Sequence, residues 1–272
     1  MTGLTFGRDI VAAEARPSAA GPSAPWRSVA EFDLVIMVGM TGAGKTTTLA
    51  ELQRQGVAYR LLPNRREVTD QVMISRLQQQ DNQPPQPVLD RLARFQYTAR
   101  YRAMFPGGMA HALSKLWLAE SDLSRPLLFD GLRGLNEIQA ALESLPHSRF
   151  IVLAAPDLIR ISRLLNRGDL FDAVESVANQ TTFDAETALR QIPGLTDLFT
   201  TTQVAAIARL ADELPVRELA QKVTIIVEER RHYNPESTTA YLQNNLSEDR
   251  CLVIDTVAHN TATVARQIGR WL

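Results

Sequence analysis

One short segment carries the residues best suited to binding phosphate. It reads Gly39-Met40-Thr41-Gly42-Ala43-Gly44-Lys45-Thr46, the spacing of a Walker A loop. Its glycines let successive backbone N–H groups turn toward phosphate oxygens, and a following helix adds the positive end of its dipole. The nucleotide is expected on Gly39, Thr41, Gly42, Ala43, Gly44, Lys45, Thr46 and Thr47. We expect Lys45 at the β- and γ-phosphates and the Thr46 hydroxyl on Mg²⁺.

The surroundings of the loop favour this interpretation over an ordinary glycine turn with an incidental lysine. An apolar run over residues 33–38 precedes the loop and predicts a buried strand, and residues 47–53 predict the first turns of a helix. Lysine is also scarce, since the chain contains only Lys45, Lys115 and Lys222. The sequence therefore predicts a site for a nucleoside triphosphate and Mg²⁺.

A second apolar run, over residues 126–129, ends in Asp130. Beside a phosphate loop, an aspartate at the end of such a strand is expected to bind Mg²⁺; the alternative is a surface Asp-Gly turn. The next residue is Gly131, where motor and transporter ATPases carry a carboxylate that polarises water. The sequence also lacks the Asn-Lys-x-Asp motif of GTPases and a Leu-Ser-Gly-Gly motif. Transfer to an acceptor other than water is favoured over hydrolysis.

Arginines supply the remaining candidate groups, because a planar guanidinium grips phosphate oxygens in pairs and stays protonated. The arginines expected to bind the acceptor are Arg65, Arg66, Arg94, Arg100 and Arg163. Those expected at the transferring phosphoryl group, with Lys45 and Asp130, are Arg133 and Arg167. Two alternatives stay open: Arg65 and Arg66 as a solvated pair, and the aromatic residues among the arginines of segment 94–102 as helix packing.

Composition limits the class of protein. The chain has 272 residues, 45% of them hydrophobic, and a net charge of −1. We expect one substantial core in a cytoplasmic protein, without a membrane span. The near-neutral charge does not favour nucleic acid as a partner. The single cysteine, Cys251, excludes an intramolecular disulfide.

Five apolar runs alternate with helical stretches and must position these groups. They cover residues 34–38, 58–62, 126–129, 149–154 and 251–254. Strands of this kind, covered on both faces, predict a three-layer α/β/α fold with a mainly parallel five-stranded sheet. Its ligands would lie beyond the carboxyl ends of the strands. We expect a flexible tail over residues 1–30 and one domain over residues 31–272, with a helical lid or insert at about 168–245.

Three segments resemble P-loop kinases. Phe129-Asp130-Gly131-Leu132-Arg133-Gly134 with Glu137 resembles the Asp-Gly-x-Arg segment of dephospho-CoA-kinase-like and nucleotide-kinase-like proteins. Arg163-Leu164-Leu165-Asn166-Arg167 with Asp169 is similar to the helix that leads into the lid of nucleoside monophosphate kinases. Val253-Ile254-Asp255-Thr256 is similar to their last strand. The resemblance implies ATP·Mg²⁺ as donor and a mobile lid.

Two functional hypotheses follow. The first is ATP-dependent phosphoryl transfer to a small phosphorylated or hydroxylated metabolite, nucleotides included. The alternative is a nucleotide-dependent switch or adaptor that acts on a protein partner through the helical insert.

Overall fold

The structure is a computed structural model that describes residues 10–12, 26–119, 125–165, 185–210 and 215–272. The strands are β1 (Ile10–Ala12), β2 (Trp26–Ser28), β3 (Leu34–Val38), β4 (Arg60–Leu61), β5 (Leu116–Ala119), β6 (Leu127–Phe129), β7 (Arg149–Ala154) and β8 (Cys251–Asp255). The helices that flank the sheets in the first half are α1 (Lys45–Arg54), α2 (Arg65–Val68), α3 (Ser75–Gln80), α4 (Arg91–Met104), α5 (Gly108–Ser114) and α6 (Leu135–Ser144). The remaining helices are α7 (Asp157–Leu165), α8 (Ala185–Arg190), α9 (Leu195–Leu198), α10 (Thr201–Arg209), α11 (Val216–His232), α12 (Pro235–Asn245) and α13 (Thr261–Trp271). A π-helical turn, Thr69–Ile74, joins α2 to α3.

The main sheet has five parallel strands in the order β4-β6-β3-β7-β8. Successive side chains of the central strand β3 belong alternately to two hydrophobic clusters, one on each face of the sheet. Val35 and Met37 pack with α1 and α13, whereas Leu34, Ile36 and Val38 pack with α5, α6 and α12. Both faces of the sheet are therefore covered by helices, and the predicted three-layer fold is confirmed.

The strand bounds agree with the apolar runs except at four ends. Strand β4 covers Arg60–Leu61 rather than residues 58–62, β6 begins at Leu127 rather than at residue 126, and β8 extends to Asp255 rather than to residue 254. The Leu127 amide donates to the Asp33 carbonyl at 3.3 Å, which joins the start of β6 to the start of β3. The loop after β3 and Asp130 after β6 thus emerge side by side, as expected.

A small antiparallel sheet, in the order β1-β5-β2, was not predicted. Ile10 pairs with Leu118, and Trp26 pairs with Ala119. These two pieces of the N-terminal segment differ from the expected flexible tail, because β5 offers them a backbone partner about a hundred residues away in sequence. Residues 1–9 and 13–25 lie outside the described part of the chain.

The described residues of the predicted insert include five helices, α8 to α12, and these helices pack in two places. Helices α8 to α11 share a separate hydrophobic cluster with α7, which includes Leu164, Leu195, Val223 and Ile226. Helix α12 packs on the main sheet instead, through buried Leu242. Asn234 caps α12 by accepting from the Ser237 amide at 2.9 Å, ahead of Pro235. The insert therefore adds a small helical subdomain beside the loop after β3. Residues 166–184 and 211–214 lie outside the described chain.

Candidate functional site

The predicted phosphate loop connects β3 to α1. Gly42 and Gly44 have positive φ angles of 82° and 101°. A Cβ on Gly42 would lie 2.8 Å from the carbonyl oxygen of Arg160 in α7. Glycine is thus required at position 42 for backbone conformation and for close packing on the next helix.

The loop presents unsatisfied donors. The backbone N–H groups of Gly42, Gly44, Lys45 and Thr46 make no hydrogen bond within the described residues. Thr46 is exposed, and its hydroxyl likewise has no partner there. Several unpaired N–H groups at the start of a helix form a binding site for an anion.

Lys45 folds back over this loop. Its ammonium donates to the Gly39 carbonyl and, at 3.3 Å, to the Met40 carbonyl. Desolvation and, to a smaller extent, the positive charge of Arg133 lower the pKa of Lys45 to about 8, although the negative charge of Asp130 opposes the shift. The lysine is therefore a cation without a carboxylate partner in hydrogen-bond contact, close to Asp130 and Arg133.

Asp130 and Thr46 line one cleft. Within the described chain, the Asp130 carboxylate accepts no hydrogen bond and makes no ion pair. Groups of three or more His, Cys, Asp or Glu residues suited to a metal are absent from the described residues. A hydroxyl, one carboxylate and phosphate oxygens are the ligands that Mg²⁺ takes in nucleotide sites, where it keeps several waters. The free oxygens of Thr46 and Asp130 fit this ion.

Gly131 follows Asp130 for a steric reason. A Cβ at this position would lie 2.3 Å from the ring of Phe129, which is fully buried. A side chain after Asp130 would therefore clash with the core. The packing of Phe129 at the end of β6 thus excludes a carboxylate side chain at position 131.

The cleft of about 630 Å³ extends from the loop to the region that follows β4. It is bounded on that side by Asn64, Arg65, Arg66, Thr69, Arg94, Phe95 and Thr98. Asn64 caps α2 by accepting from the Arg66 and Glu67 amides at 2.9 and 3.1 Å. The predicted arginines thus begin a helix rather than a turn, and we call this space the acceptor cleft.

On this side of the cleft, Arg65 and Arg94 are held by carboxylates of the protein. Arg65 donates to both oxygens of buried Glu137, at 2.7 and 2.9 Å, and to the Gly131 carbonyl at 2.5 Å. Arg94 pairs with Asp70 and donates to the Val88 carbonyl at 3.1 Å. Arg65 therefore braces the segment after Asp130, a role that the sequence analysis did not assign to it.

Arg66 and Phe95 are the more exposed residues on this side of the cleft. Arg66 is exposed, and 58% of Phe95 is exposed although it is a large apolar side chain. An exposed aromatic ring beside a cation suits a ligand that has both a ring or apolar face and a negative charge.

Two predicted arginines, Arg100 and Arg163, do not line this cleft. Arg100 binds both oxygens of Asp81, at 2.6 and 2.7 Å, away from the loop. Arg163 donates to the Gly42 carbonyl at 3.2 Å and to Thr256, so it supports the other side of the loop rather than the acceptor cleft. Arg167 lies outside the described residues.

Arg163 borders a smaller cleft of about 280 Å³. Gly44, Thr47, Thr256 and His259 also line it. This cleft begins at the first turn of α1, where the phosphate loop ends. Its position beside the loop makes it the candidate for the nucleoside half of a nucleotide.

Sequence analysis missed two charged residues of the site, Arg160 and Glu229. Arg160 is 1% exposed and donates to the Thr41 carbonyl at 2.8 Å, to Asp157 at 2.5 Å and to Glu229 at 2.5 Å. A signal for Arg160 existed, because it shares the buried face of α7 with Ile161 and Leu164. Glu229 gives no local signal, because its partners are far away in sequence.

Comparison with known proteins gives distant likenesses only. A gluconokinase from Sinorhizobium meliloti 1021 is 13% identical, with a TM-score of 0.36, over 90% of this chain and 93% of that one. A shikimate kinase from Acinetobacter baumannii is 15% identical, with a TM-score of 0.33, over 87% and 90% of the two chains. A Thermus thermophilus protein is 18% identical, with a TM-score of 0.33, over 79% and 99%. No protein-family model and no curated protein matches the chain. Likenesses this distant add no weight to an activity.

Proposed function

We propose that this protein transfers the terminal phosphoryl group of ATP to a small-molecule acceptor bound in the acceptor cleft. One observation carries the proposal: the phosphate loop, Asp130 and the arginine-bearing wall line a single continuous space of about 630 Å³. Phosphoryl transfer asks a protein chiefly to place donor and acceptor in line and to stabilise spreading negative charge. A cleft that joins a phosphate site to a second, cationic wall meets that requirement.

The donor end uses backbone N–H groups that have no partner among the described residues, together with Lys45, which is bound only to loop carbonyls there. The free N–H groups of Gly42, Gly44, Lys45 and Thr46 would hold phosphate oxygens, and the Lys45 ammonium would turn from the loop carbonyls toward the terminal phosphates. Thr46 and Asp130 would hold Mg²⁺, which neutralises charge on the β- and γ-oxygens. The nucleoside would extend into the smaller cleft beside Thr47 and Arg163.

The acceptor end favours an anionic small molecule with an apolar or ring-shaped part. Lys45, Arg65, Arg66, Arg94 and Arg133 line the cleft, whereas Asp130 is the one carboxylate among its described lining residues. The exposed ring of Phe95 offers a flat apolar surface next to these cations. Nucleotides and other phosphorylated or carboxylated metabolites carry this combination of groups.

Gly131 supports transfer rather than dedicated hydrolysis. A carboxylate after Asp130 would polarise an attacking water, but the ring of Phe129 leaves no room for a side chain at that position. No second acidic group stands next to Asp130 in the described lining of the cleft.

The test follows the labelled terminal phosphate of ATP in a fractionated metabolite extract supplied with Mg²⁺. The expected result is stoichiometric label on an organic acceptor with the wild-type protein and none with Lys45→Ala. Slow release of inorganic phosphate alone, with every acceptor fraction unlabelled, would contradict the proposal and favour the nucleotide-dependent switch.

A further inference from the structure

Glu229 is a charged residue in the last two turns of α11, the long helix of the separate helical cluster. It is 8% exposed. A buried carboxylate is costly unless it is paired and hydrogen-bonded. Its partners therefore indicate what keeps it in this position.

Glu229 is surrounded by donors from three other elements. Its carboxylate accepts from the Thr41 amide at 3.0 Å and from the Thr41 hydroxyl. It also accepts from the Arg133 guanidinium at 2.9 Å and from the Arg160 guanidinium at 2.5 Å. A carboxylate accepts about four hydrogen bonds, so its capacity is filled. Glu229 thus joins α11 to the phosphate loop, to α7 and to the segment after β6.

The neighbouring contacts hold the same arrangement. Arg160 donates to the Thr41 carbonyl at 2.8 Å, so both backbone polar groups of Thr41 are fixed. Tyr233, just past α11, packs so closely on Gly134 that a Cβ there would lie 2.7 Å from its ring. The Arg133 amide donates to Glu137 at 3.1 Å. The backbone around Arg133 and its side chain are therefore both anchored.

Arg133 keeps donors available for a ligand. One of its terminal nitrogens contacts Glu229, and 34% of its side chain is exposed. It lines the acceptor cleft together with Lys45, Thr46 and Asp130. Its charge is close enough to Lys45 to contribute to the lowered pKa of that lysine. Arg133 therefore lines the same space as Lys45 and has guanidinium nitrogens that are not used by Glu229.

We propose that Glu229 is a positioning residue that aims Arg133 at the terminal phosphate of a bound nucleoside triphosphate. The inference rests on the proposed function, since it requires a triphosphate on the loop. The diphosphate lacks the group that Arg133 would contact. Glu229 would therefore set the preference for ATP over ADP. It would also connect the binding of a nucleotide at the phosphate loop to helix α11.

The experiment measures the Kd of ATP and of ADP by calorimetry with Mg²⁺ in the full chain. The ratio of the ADP Kd to the ATP Kd is compared among wild type, Glu229→Gln, Arg133→Gln and the double variant. We expect each single variant to lower this ratio about tenfold, because one charge-assisted contact to phosphate is lost or misdirected. The double variant should lower the ratio no further, because both changes act through one guanidinium.

Glu228→Gln is the matched control. Glu228 precedes Glu229 on α11, is 47% exposed on its side chain and pairs with Arg231 at the surface. This variant should keep the wild-type ratio.

Several outcomes would overturn the proposal. Equal losses of ATP and ADP affinity in Glu229→Gln would mean that Glu229 only supports the loop. A further loss in the double variant would mean that it acts apart from Arg133. If Glu229→Gln does not fold, Arg133→Gln decides alone, and an unchanged ratio there refutes the proposal. A wild type that binds neither nucleotide would refute the proposed function itself, whereas normal ATP preference in every variant would refute only the role of Glu229.

Discussion

The phosphate loop and the opposite wall of the cleft are both polar, but they differ in how their polar groups are satisfied. In the loop, N–H groups at Gly42, Gly44, Lys45 and Thr46 have no partner in the described chain. Across the cleft, Arg65 and Arg94 are bound by Glu137 and Asp70. Unsatisfied donors in the loop indicate a site where a ligand can bind. Arg65 and Arg94 instead stabilise the wall of the cleft through their carboxylate partners.

The largest expected effect is at the donor end. Lys45→Ala should lower phosphoryl transfer about a thousandfold or more, because the cleft lining contains no second lysine to stabilise the transferring charge. The measurement is a single-turnover assay with labelled ATP. Arg54→Ala is the control, since Arg54 lies on the same helix, exposed and paired only with Glu51. Equal turnover in the Lys45→Ala and Arg54→Ala variants would contradict the assignment of Lys45 and its loop to phosphoryl transfer.

The second prediction concerns the metal ligands. Asp130→Asn should lower transfer about a hundredfold and weaken its dependence on Mg²⁺, because the amide replaces the charged oxygen available to the ion. Titration of activity with Mg²⁺ checks this. Asp81→Asn, which changes an aspartate bound to Arg100 outside the cleft, should leave the titration unchanged. An unaltered Mg²⁺ midpoint in Asp130→Asn would refute the metal role.

The third prediction separates Arg65, which pairs with a buried carboxylate, from Arg66, which is exposed at the surface of the cleft. Arg65→Ala should lower the free energy of unfolding by about 2 kcal/mol, because it leaves the buried Glu137 carboxylate without its main partner. Arg66→Ala should change stability by less than about 0.5 kcal/mol and instead raise the acceptor KM. Urea unfolding measures the first effect and steady-state kinetics the second. Equal stability of the two variants would contradict the division between bracing and binding arginines.

The fourth prediction follows from the pKa of Lys45, which desolvation lowers to about 8. Bound phosphate favours the protonated lysine, so above that pH a proton must be taken up as ATP binds. The Kd of ATP should be nearly constant below pH 8 and rise about tenfold per pH unit above it. Lys45→Arg should flatten this dependence, because a guanidinium stays charged. A wild-type profile that is flat to pH 9.5 would contradict the prediction.

The sequence predicted what depends on residues close together in the chain. The loop, its strand and its helix are contiguous, so spacing alone identified Gly42, Lys45 and Thr46 as a candidate site. The sheet was predicted because each strand carries its own apolar run. The strand pairing of the N-terminal segment was missed, since it depends on β5 far along the chain.

The burial of each arginine and its carboxylate partner could not be predicted from the sequence in the same way. Arg65 and Glu137 are 72 positions apart, and Thr41 and Glu229 are 188 apart. Residue type gives the chemistry of a side chain, whereas burial and pairing depend on which distant carboxylate the fold brings beside it. Arg65 and Arg100 look alike in sequence, yet one braces the cleft and the other lies outside it.

Hydrogen exchange of the loop amides on addition of ATP and Mg²⁺ tests the central claim most directly. Amides without hydrogen-bond partners exchange quickly and become protected when phosphate oxygens accept from them. We predict strong new protection in the peptide that covers residues 39–47, and little change in the peptide that carries Arg100. The same titration with Lys45→Ala should give much weaker protection. Unchanged exchange at residues 39–47 in the wild type at saturating ATP would contradict the assignment of this loop as the phosphate site.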